Sequence, residues 1–275
     1  MNKQAMEKYR SIHSRRMTMF EKMFVPKVYK IIRPQIDQFI EILKTKGEEG
    51  AKRWLHKQIM TDGLMDVIMN MYKVIGVYFA NSTLTEIRQS AKGAEEKRFG
   101  FNDEWVNAII NYFKAHLLDM VFNIAETTKQ RIFDLLIKAN TEGWGVDKIA
   151  MELESPEMTL IRSRLIVRTE SVKAMRYGND LAEKKSIWVT DKVWIAAHDH
   201  RTRHSHRDID GAIARGKFKV ERFRGNILVG YDMMDGPGDK DASIENLANC
   251  RCTDARRAAR DERGRLIRKH QNEFV

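Results

Sequence analysis

The sequence predicts an α+β protein in which an extended N-terminal helical arm precedes a small mixed α/β C-terminal domain. Two observations lead to this prediction. Up to about residue 160, apolar side chains recur at the three- and four-residue spacing of amphipathic helices. Beyond about residue 185, short stretches rich in β-branched and aromatic residues alternate with turns rich in Gly, Pro and Asp.

The longest predicted helix begins at NDEW (102–105) and continues to KAN (138–140), and the glycines of TEGWG (141–145) end it. At ~1.5 Å per residue it would be roughly 55 Å long, a length typical of an arm in an assembly. The earlier segments are amphipathic as well. There, Pro26 and Pro34 are expected to break helices or to occupy their first turns.

Two more helices are expected between the arm and the strands. The first begins after Gly145 and places Ile149, Ala150 and Leu153 on one face. The second is RSRLIVRTESVKAMRYGN. Farther on, SIWVTDKVWIAA predicts a strand or a short hairpin with its turn at TD. KFKVERF and GNILVGYD predict strands, DGPGDKDAS predicts a loop, and DARRAARDERGRLIRKH predicts a basic helix.

Composition narrows the class of protein. The formal net charge is +11 and the isoelectric point is near 9.6, which favours a polyanionic partner. No apolar run reaches the ~18–20 residues of a membrane span, and no secretory signal is recognisable, so we expect the protein to act in the cytosol or in something assembled there. Cys250 and Cys252 are too close for an unstrained disulfide and are expected to be free thiols or metal ligands.

The stretch HDHRTRHSHRDIDG (198–211) is the strongest candidate for chemistry. Cys250 and Cys252 as thiolates and His206 as an imidazole would suit one structural zinc ion, with Asp199 or a second histidine as the fourth ligand. Three other interpretations stay open. The stretch could be a catalytic cluster, a nucleic-acid surface, or a signature that serves the fold alone.

Taken in order, these motifs resemble the bacteriophage Mu F-like minor head proteins, the phage head-morphogenesis family. The resemblance covers roughly residues 140 to 255. His198, His200 and His204 go beyond the family pattern, and the loop DGPGDKD matches it only loosely. The matching positions are Arg168, Thr169, Glu170, Trp194, Asp199, Arg203, His206, Gly211, Asn249, Cys250, Arg251 and Cys252.

The resemblance implies a minor capsid protein of a tailed phage that is not an enzyme. Its partners would be the portal protein, other head proteins and packaged double-stranded DNA, and it would act in head assembly and in DNA packaging or delivery. It would lie in the virion near the portal vertex, and in the host cytoplasm during assembly. Residues 1–140 would be the docking arm, 141–255 the Mu F-like domain and 256–275 a basic C-terminal helix or tail. The family pattern also implies that Arg203 forms an internal ion pair with Asp199 or Glu170.

A basic segment follows the histidines. Between residues 201 and 224, eight basic side chains stand against three acidic ones, with few aromatic residues between them, which favours phosphate contacts over base readout. A solvated basic face explains the charge equally well. The alternatives to a head protein are a metal-dependent nuclease built on His198–His206 and Cys250–Cys252, and a stand-alone DNA-binding protein. The candidate DNA-proximal residues are Arg201, Arg207, Lys217, Lys219, Arg222 and Arg224.

Overall fold

A computed structural model describes residues 1–57, 63–91 and 103–269. Helices dominate the N-terminal part, and a mixed α/β region follows, as the sequence predicts. The helices are α1 (Lys3–Lys57), α2 (Leu64–Ser90), α3 (Asp103–Glu142), α4 (Val146–Glu154), α5 (Arg162–Lys185), α6 (His204–Asp208) and α7 (Ile244–Leu247), with a π-helical turn (Glu157–Ile161) before α5. The strands are β1 (Thr190–Ile195), β2 (Ile213–Ala214), β3 (Phe218–Arg224), β4 (Ile227–Met234) and β5 (Thr253–Ala258).

The long helix and the short helix after it are confirmed. α3 ends at Glu142, and the next residue, Gly143, has a φ of 66°, a left-handed conformation that terminates helices. α4 then buries Ile149, Ala150 and Leu153, the three residues predicted to share one face. Residue 102, with which the predicted helix begins, lies outside the described residues.

The expected breaks at Pro26 and Pro34 are wrong, because α1 continues through both prolines. A proline inside a helix removes one backbone hydrogen bond, and here both prolines lie on the exposed side. The carbonyl groups that lose a donor belong to Lys22 and Lys30, which are also exposed, so water can satisfy them. The helical conformation of α1 is interrupted instead at Gly47, which has a φ of 67°.

The chain forms two compact units, and each is assembled from segments that are distant in sequence. The first unit contains Met1–Phe20, Met71–Ile109 and Arg168–Val275. The second contains Glu21–Asn70 and Ile110–Val167. The predicted divisions at residues 140 and 255 follow motifs and stay a prediction about function, whereas the compact units divide the chain at other points.

The first unit contains a three-stranded antiparallel sheet in the order β2-β1-β5 and a β3–β4 hairpin. Val193 of the central strand lies opposite Ala255 of β5. The turn expected at Thr190-Asp191 is absent, since both residues belong to β1 and pair with β5. Trp194, on the same strand, is fully buried. Of the two structures predicted for SIWVTDKVWIAA, the structure contains the strand and not the hairpin.

The predicted C-terminal helix is also wrong for residues 256–269, and residues 270–275 lie outside the described part. Its first residues form β5, because pairing with β1 buries nearly every side chain of that strand and outweighs local helix propensity. Arg256 is 2% exposed. Its guanidinium is 2.9 Å from Asp254 and 2.7 Å from Asp180, and it also contacts Glu183. Three carboxylates thus compensate the buried charge.

α5 is the central helix of the first unit from Arg168 onward, and most of its side chains there are buried or half-buried. It crosses α2 at very close range. A Cβ atom added to Gly178 would lie 2.2 Å from the carbonyl oxygen of Gly76. The loop after β4 approaches α5 in the same way, since a Cβ on Gly238 would lie 2.6 Å from the carbonyl oxygen of Val172. Glycine is required at both contacts.

Candidate metal centre

One histidine and two cysteines meet in the buried core of the first unit. His206 lies on α6, and Cys250 and Cys252 lie on the segment before β5. The Nδ1 atom of His206 is 3.6 Å from the Sγ of Cys250 and 3.5 Å from the Sγ of Cys252. All three side chains are buried, and Trp194 packs edge-on against the imidazole at 5.2 Å between ring centroids.

The hydrogen bonds around His206 set its tautomer. The amide nitrogen of Asn246 donates to the Glu221 carbonyl and to the Asp232 carboxylate. The amide oxygen of Asn246 is therefore an acceptor, and the Nε2 of His206, 3.2 Å away, must donate to it. In the neutral imidazole Nδ1 then carries no proton, and its lone pair faces the two sulfur atoms, which is the arrangement that a metal ligand needs.

The two thiols also have different acidities. Hydrogen bonding to Cys252 lowers the pKa of the Cys250 thiol well below its usual value, against the opposing effect of burial. The same bond, together with burial, raises the pKa of the Cys252 thiol. The protein therefore favours a thiolate at Cys250. Two sulfur donors and one imidazole form a set that suits zinc.

Asp199, predicted as a fourth ligand, lies outside this group. Both of its carboxylate oxygens bind Arg251, at 2.5 Å and 2.8 Å. Partial burial alone would raise the pKa of Asp199, but hydrogen bonds from Arg251 and Thr202 outweigh it and hold the pKa at about 2. The carboxylate is thus committed to an internal ion pair. Within the described residues, the cluster that can hold a metal comprises His206, Cys250 and Cys252 alone.

Arg203 also has a different partner from the one expected. Its guanidinium donates to the backbone carbonyl of Ala248 at 2.6 Å, and not to Asp199 or Glu170. Glu170 instead accepts from the hydroxyl of Tyr72 at 2.8 Å. Arg251, and not Arg203, binds the Asp199 carboxylate.

The remaining motif residues hold the same region together. Asn249 has a φ of 55°, a left-handed conformation that asparagine tolerates better than most residues, and its backbone amide donates to the hydroxyl of Thr169 at 3.0 Å. Gly211 has a φ of 82° and donates to the carbonyl of Trp194 at 2.8 Å. Arg168 is half-buried on α5. The motif therefore joins α5, β1, α6 and the segment before β5.

Residues 130–255 match the family described as Phage Mu protein F like protein. The chain carries a Phage Mu protein F-like domain. Among curated proteins, the uncharacterized protein MJ0329 of Methanocaldococcus jannaschii is 26% identical over 111 residues, which cover 40% of this chain and 18% of that protein. No solved structure matches the chain.

None of the described helices is long and apolar enough to cross a membrane.

The three additional histidines of the Mu F-like domain do not join the metal-binding group. His204 pairs with Asp208 and its side chain is 82% exposed. His198 pairs with Asp210 at 2.7 Å, and His200 is exposed. Of the four histidines in this stretch, the one in the family pattern is the buried one.

The candidate DNA-proximal residues are mostly occupied by acidic or aromatic neighbours. Nitrogen atoms of Lys217, Arg222 and Arg224 lie 3.8, 3.7 and 3.0 Å from the carboxylates of Asp235, Asp232 and Glu245, respectively. The ammonium of Lys219 lies over the ring of Tyr231 at 4.0 Å. Arg201 is exposed, and Arg207 is exposed but donates to the Asp199 carbonyl. These residues do not form one unpaired basic cluster.

Two supports of the site were not predicted. Asn246 orients His206, yet nothing in ENLANC marks it. Arg10, at the start of α1, donates to the Ala196 carbonyl at 2.6 Å and to Asp210 at 3.0 Å. The partners in each of these contacts are separated by far more residues than a helix or a turn spans. The local sequence pattern therefore could not predict the contacts.

Proposed function

We propose that this chain is a minor capsid protein of a tailed bacteriophage that associates with the portal vertex and acts in head assembly and in DNA packaging or delivery. The observation that carries the proposal is the Mu F-like domain over residues 130–255. Contacts within its motif support a structural role, because Arg251 binds Asp199 and the backbone amide of Asn249 donates to Thr169.

We further propose that His206, Cys250 and Cys252 hold one structural zinc ion. The three donors converge in a buried core beside Trp194, and a metal there would join α6 to the segment before β5. Such an ion supplies stability and no reaction chemistry. Metal analysis of freshly purified, unchelated protein is expected to find one zinc per chain, and well under one would overturn this proposal.

The same burial disfavours the nuclease alternative. A hydrolytic metal needs an open coordination position that substrate and water can reach. The side chains of His206, Cys250 and Cys252 are at most 2% exposed, and the described residues place no carboxylate in their group. We expect no DNA cleavage with magnesium, manganese or zinc. Metal-dependent cleavage that is lost in His206→Ala would favour the nuclease.

In the second unit, α3 exposes large apolar side chains. Leu118 and Phe122 lie one helical turn apart and are 68% and 54% exposed, although both are large and apolar. We propose that this pair contacts the portal or a neighbouring head protein, as expected for the arm. DNA contacts would come from exposed cations such as Arg201, through phosphates and without base specificity.

Co-purification with the portal protein of the same phage tests whether the chain binds the portal. The wild-type chain is expected to remain bound to portal rings through size-exclusion chromatography. Leu118→Lys with Phe122→Lys should release it, whereas Met151→Lys, a change at another 63% exposed apolar side chain, should not. A chain that binds DNA tightly with a steep salt dependence, and never binds the portal, would be a stand-alone DNA-binding protein.

A further inference from the structure

A carboxyl group without a cationic partner lies where α1 meets α2. Glu86 of α2 lines a pocket of about 460 Å³ in the first unit, together with Tyr9, His13, Arg16, Tyr78 and Ser82. The hydroxyl groups of Tyr9 and Ser82 donate to its carboxylate at 3.1 and 3.3 Å, and no ion pair among the described residues includes it. A carboxylate removed from water without a cation binds a proton more readily than an exposed one.

The charged neighbours of Glu86 do not neutralise it. Arg16, on α1, donates to the hydroxyl of Ser82 at 3.3 Å and not to the carboxylate. His13 is buried on the same helix, and burial lowers the pKa of its imidazole to about 4, so it stays neutral above that pH. From β5, Asp254 adds a second negative charge that opposes the ionisation of Glu86.

One hydroxyl proton is shared between two acceptors beside Glu86. The hydroxyl of Tyr9 lies 3.1 Å from the Glu86 carboxylate and 3.3 Å from the backbone carbonyl oxygen of Asp254. Burial raises the pKa of Tyr9 well above its ordinary value, so this hydroxyl keeps its proton but has only one to give. Both contacts become full hydrogen bonds when Glu86 is itself protonated, because the carboxyl group then donates to the Tyr9 oxygen and the hydroxyl donates to the carbonyl.

The same environment shifts the acidity of Glu86 in the required direction. Burial raises its pKa from the ordinary 4.5 to about 7, although the hydrogen bonds from Tyr9 and Ser82 lower it. Glu86 therefore binds its proton more tightly in the folded protein than in the unfolded chain. The contribution of this proton to the free energy of unfolding is complete below about pH 4.5 and is lost as the pH rises through about 7.

We propose that Glu86 is a proton-binding site that fixes the start of α1 to α2 and β5 and loosens it as the pH rises. A protonated Glu86 completes a chain of two hydrogen bonds that runs from α2 through Tyr9 of α1 to the Asp254 carbonyl of β5. After ionisation, Tyr9 can serve only one of its two acceptors, and a negative charge without a cation remains in the pocket. The contacts that hold residues 1–20 in the first unit are therefore weaker above about pH 7 than below it. This device goes beyond the proposed function and does not depend on it.

NMR titration of the full-length chain, with the carboxyl carbons of its glutamates labelled with ¹³C, tests the proton-binding site. The signal that is absent from Glu86→Gln identifies the residue, and its midpoint is expected near pH 7. A midpoint above about pH 6 supports the proposal, and one at or below about pH 6 overturns it, because water or a bound cation would then stabilise the carboxylate.

Amide hydrogen exchange tests the coupling to α1. Protection of the amides between residues 3 and 20, corrected for the intrinsic effect of pH on exchange, is expected to fall at least about tenfold between about pH 5.5 and about pH 8.5. Glu86→Gln should keep the same protection at both pH values, because a neutral amide can donate to Tyr9 and cannot ionise. Glu7→Gln, a change at an exposed glutamate on the same helix, is the matched control and should lose protection like the wild type.

Wild-type protection that is unchanged between the two pH values would overturn the proposal. A loss of protection in Glu86→Gln equal to that of the wild type would overturn it as well, because another group would then be responsible. Neither measurement involves the portal protein, so these outcomes are independent of the test with Leu118→Lys and Phe122→Lys.

Discussion

His206 is selected among its neighbours by burial and by one amide group. It faces two sulfur atoms at 3.6 and 3.5 Å, while Asn246 fixes which nitrogen carries the proton. His204, two residues earlier, is on the opposite side of α6 and forms an exposed pair with Asp208. Chemically identical side chains therefore have different capacities to bind a metal.

This difference predicts the metal content of two variants. His206→Ala should lower zinc well below one per chain and lower the unfolding temperature, because two buried thiols lose their shared partner. His204→Ala should keep both values of the wild type. Atomic emission analysis and differential scanning calorimetry measure the two quantities. Equal zinc in both variants, or removal of the zinc by a chelator with no loss of stability, would contradict a structural ion at this site.

Part of the site could be predicted at the residue scale. Cys-x-Cys together with the histidine of the family motif correctly indicated which side chains converge. The partner of Asp199 could not be predicted, because a carboxylate pairs with whichever cation the fold brings near it, and Arg251 follows more than fifty residues later. The same limit explains the wrong partner expected for Arg203.

At the scale of elements, the crossing of α2 and α5 depends on two glycines. The carbonyl of Gly76 occupies the space where a side chain at position 178 would begin, with 2.2 Å between that oxygen and an added Cβ. Thr83 on α2 also donates to Asn179 on α5 at 2.7 Å, which keeps the two helices in one register. The helices therefore pack backbone against backbone.

Gly178→Ala is expected to destabilise the protein by about 3 kcal/mol or more, since overpacking against backbone cannot be relieved by a rotamer change. Gly216→Ala is the control, because no atom lies within 4 Å of its added Cβ, and its effect should stay within roughly 0.5 kcal/mol. Urea unfolding followed by circular dichroism measures both. Similar midpoints for the two variants would show that the helices can separate without cost.

Elements with a regular local pattern were predicted, and those that depend on distant pairing were not. The stripe of α4 and the alternation in β3 are local signals, and the structure confirms both elements. The segment of β5 was predicted to be a helix because ARRAAR has high helix propensity. It forms a strand because it pairs with β1 and because Arg256 has acidic partners there. Pro34 shows the opposite case, a helix breaker tolerated on an exposed face.

At the scale of the whole molecule, the Mu F-like domain shares its compact unit with N-terminal segments. Residues 1–20 and 71–109 belong to the same unit as residues 168–275. Arg10 binds Asp210 at 3.0 Å, and Tyr72 donates to Glu170 at 2.8 Å. The family match begins at residue 130, so it omits the segments that make these contacts.

A fragment of residues 130–255 is therefore expected to lack cooperative unfolding, even with zinc present, because it loses α2, the start of α1 and the end of β5. Thermal melts and limited proteolysis of the fragment, beside the full chain, measure this. A fragment that melts in a sharp transition near the temperature of the full chain would show that the motif region folds without its N-terminal partners.

The central claim is that the protein is a component of the phage head near the portal. Quantitative mass spectrometry of purified particles, before and after triggered DNA release, tests it most directly. We predict a few to a few tens of copies in each particle before release. Loss of the chain on release would assign it to delivery, and retention would assign it to the portal vertex. Absence of the chain from purified particles would contradict the claim.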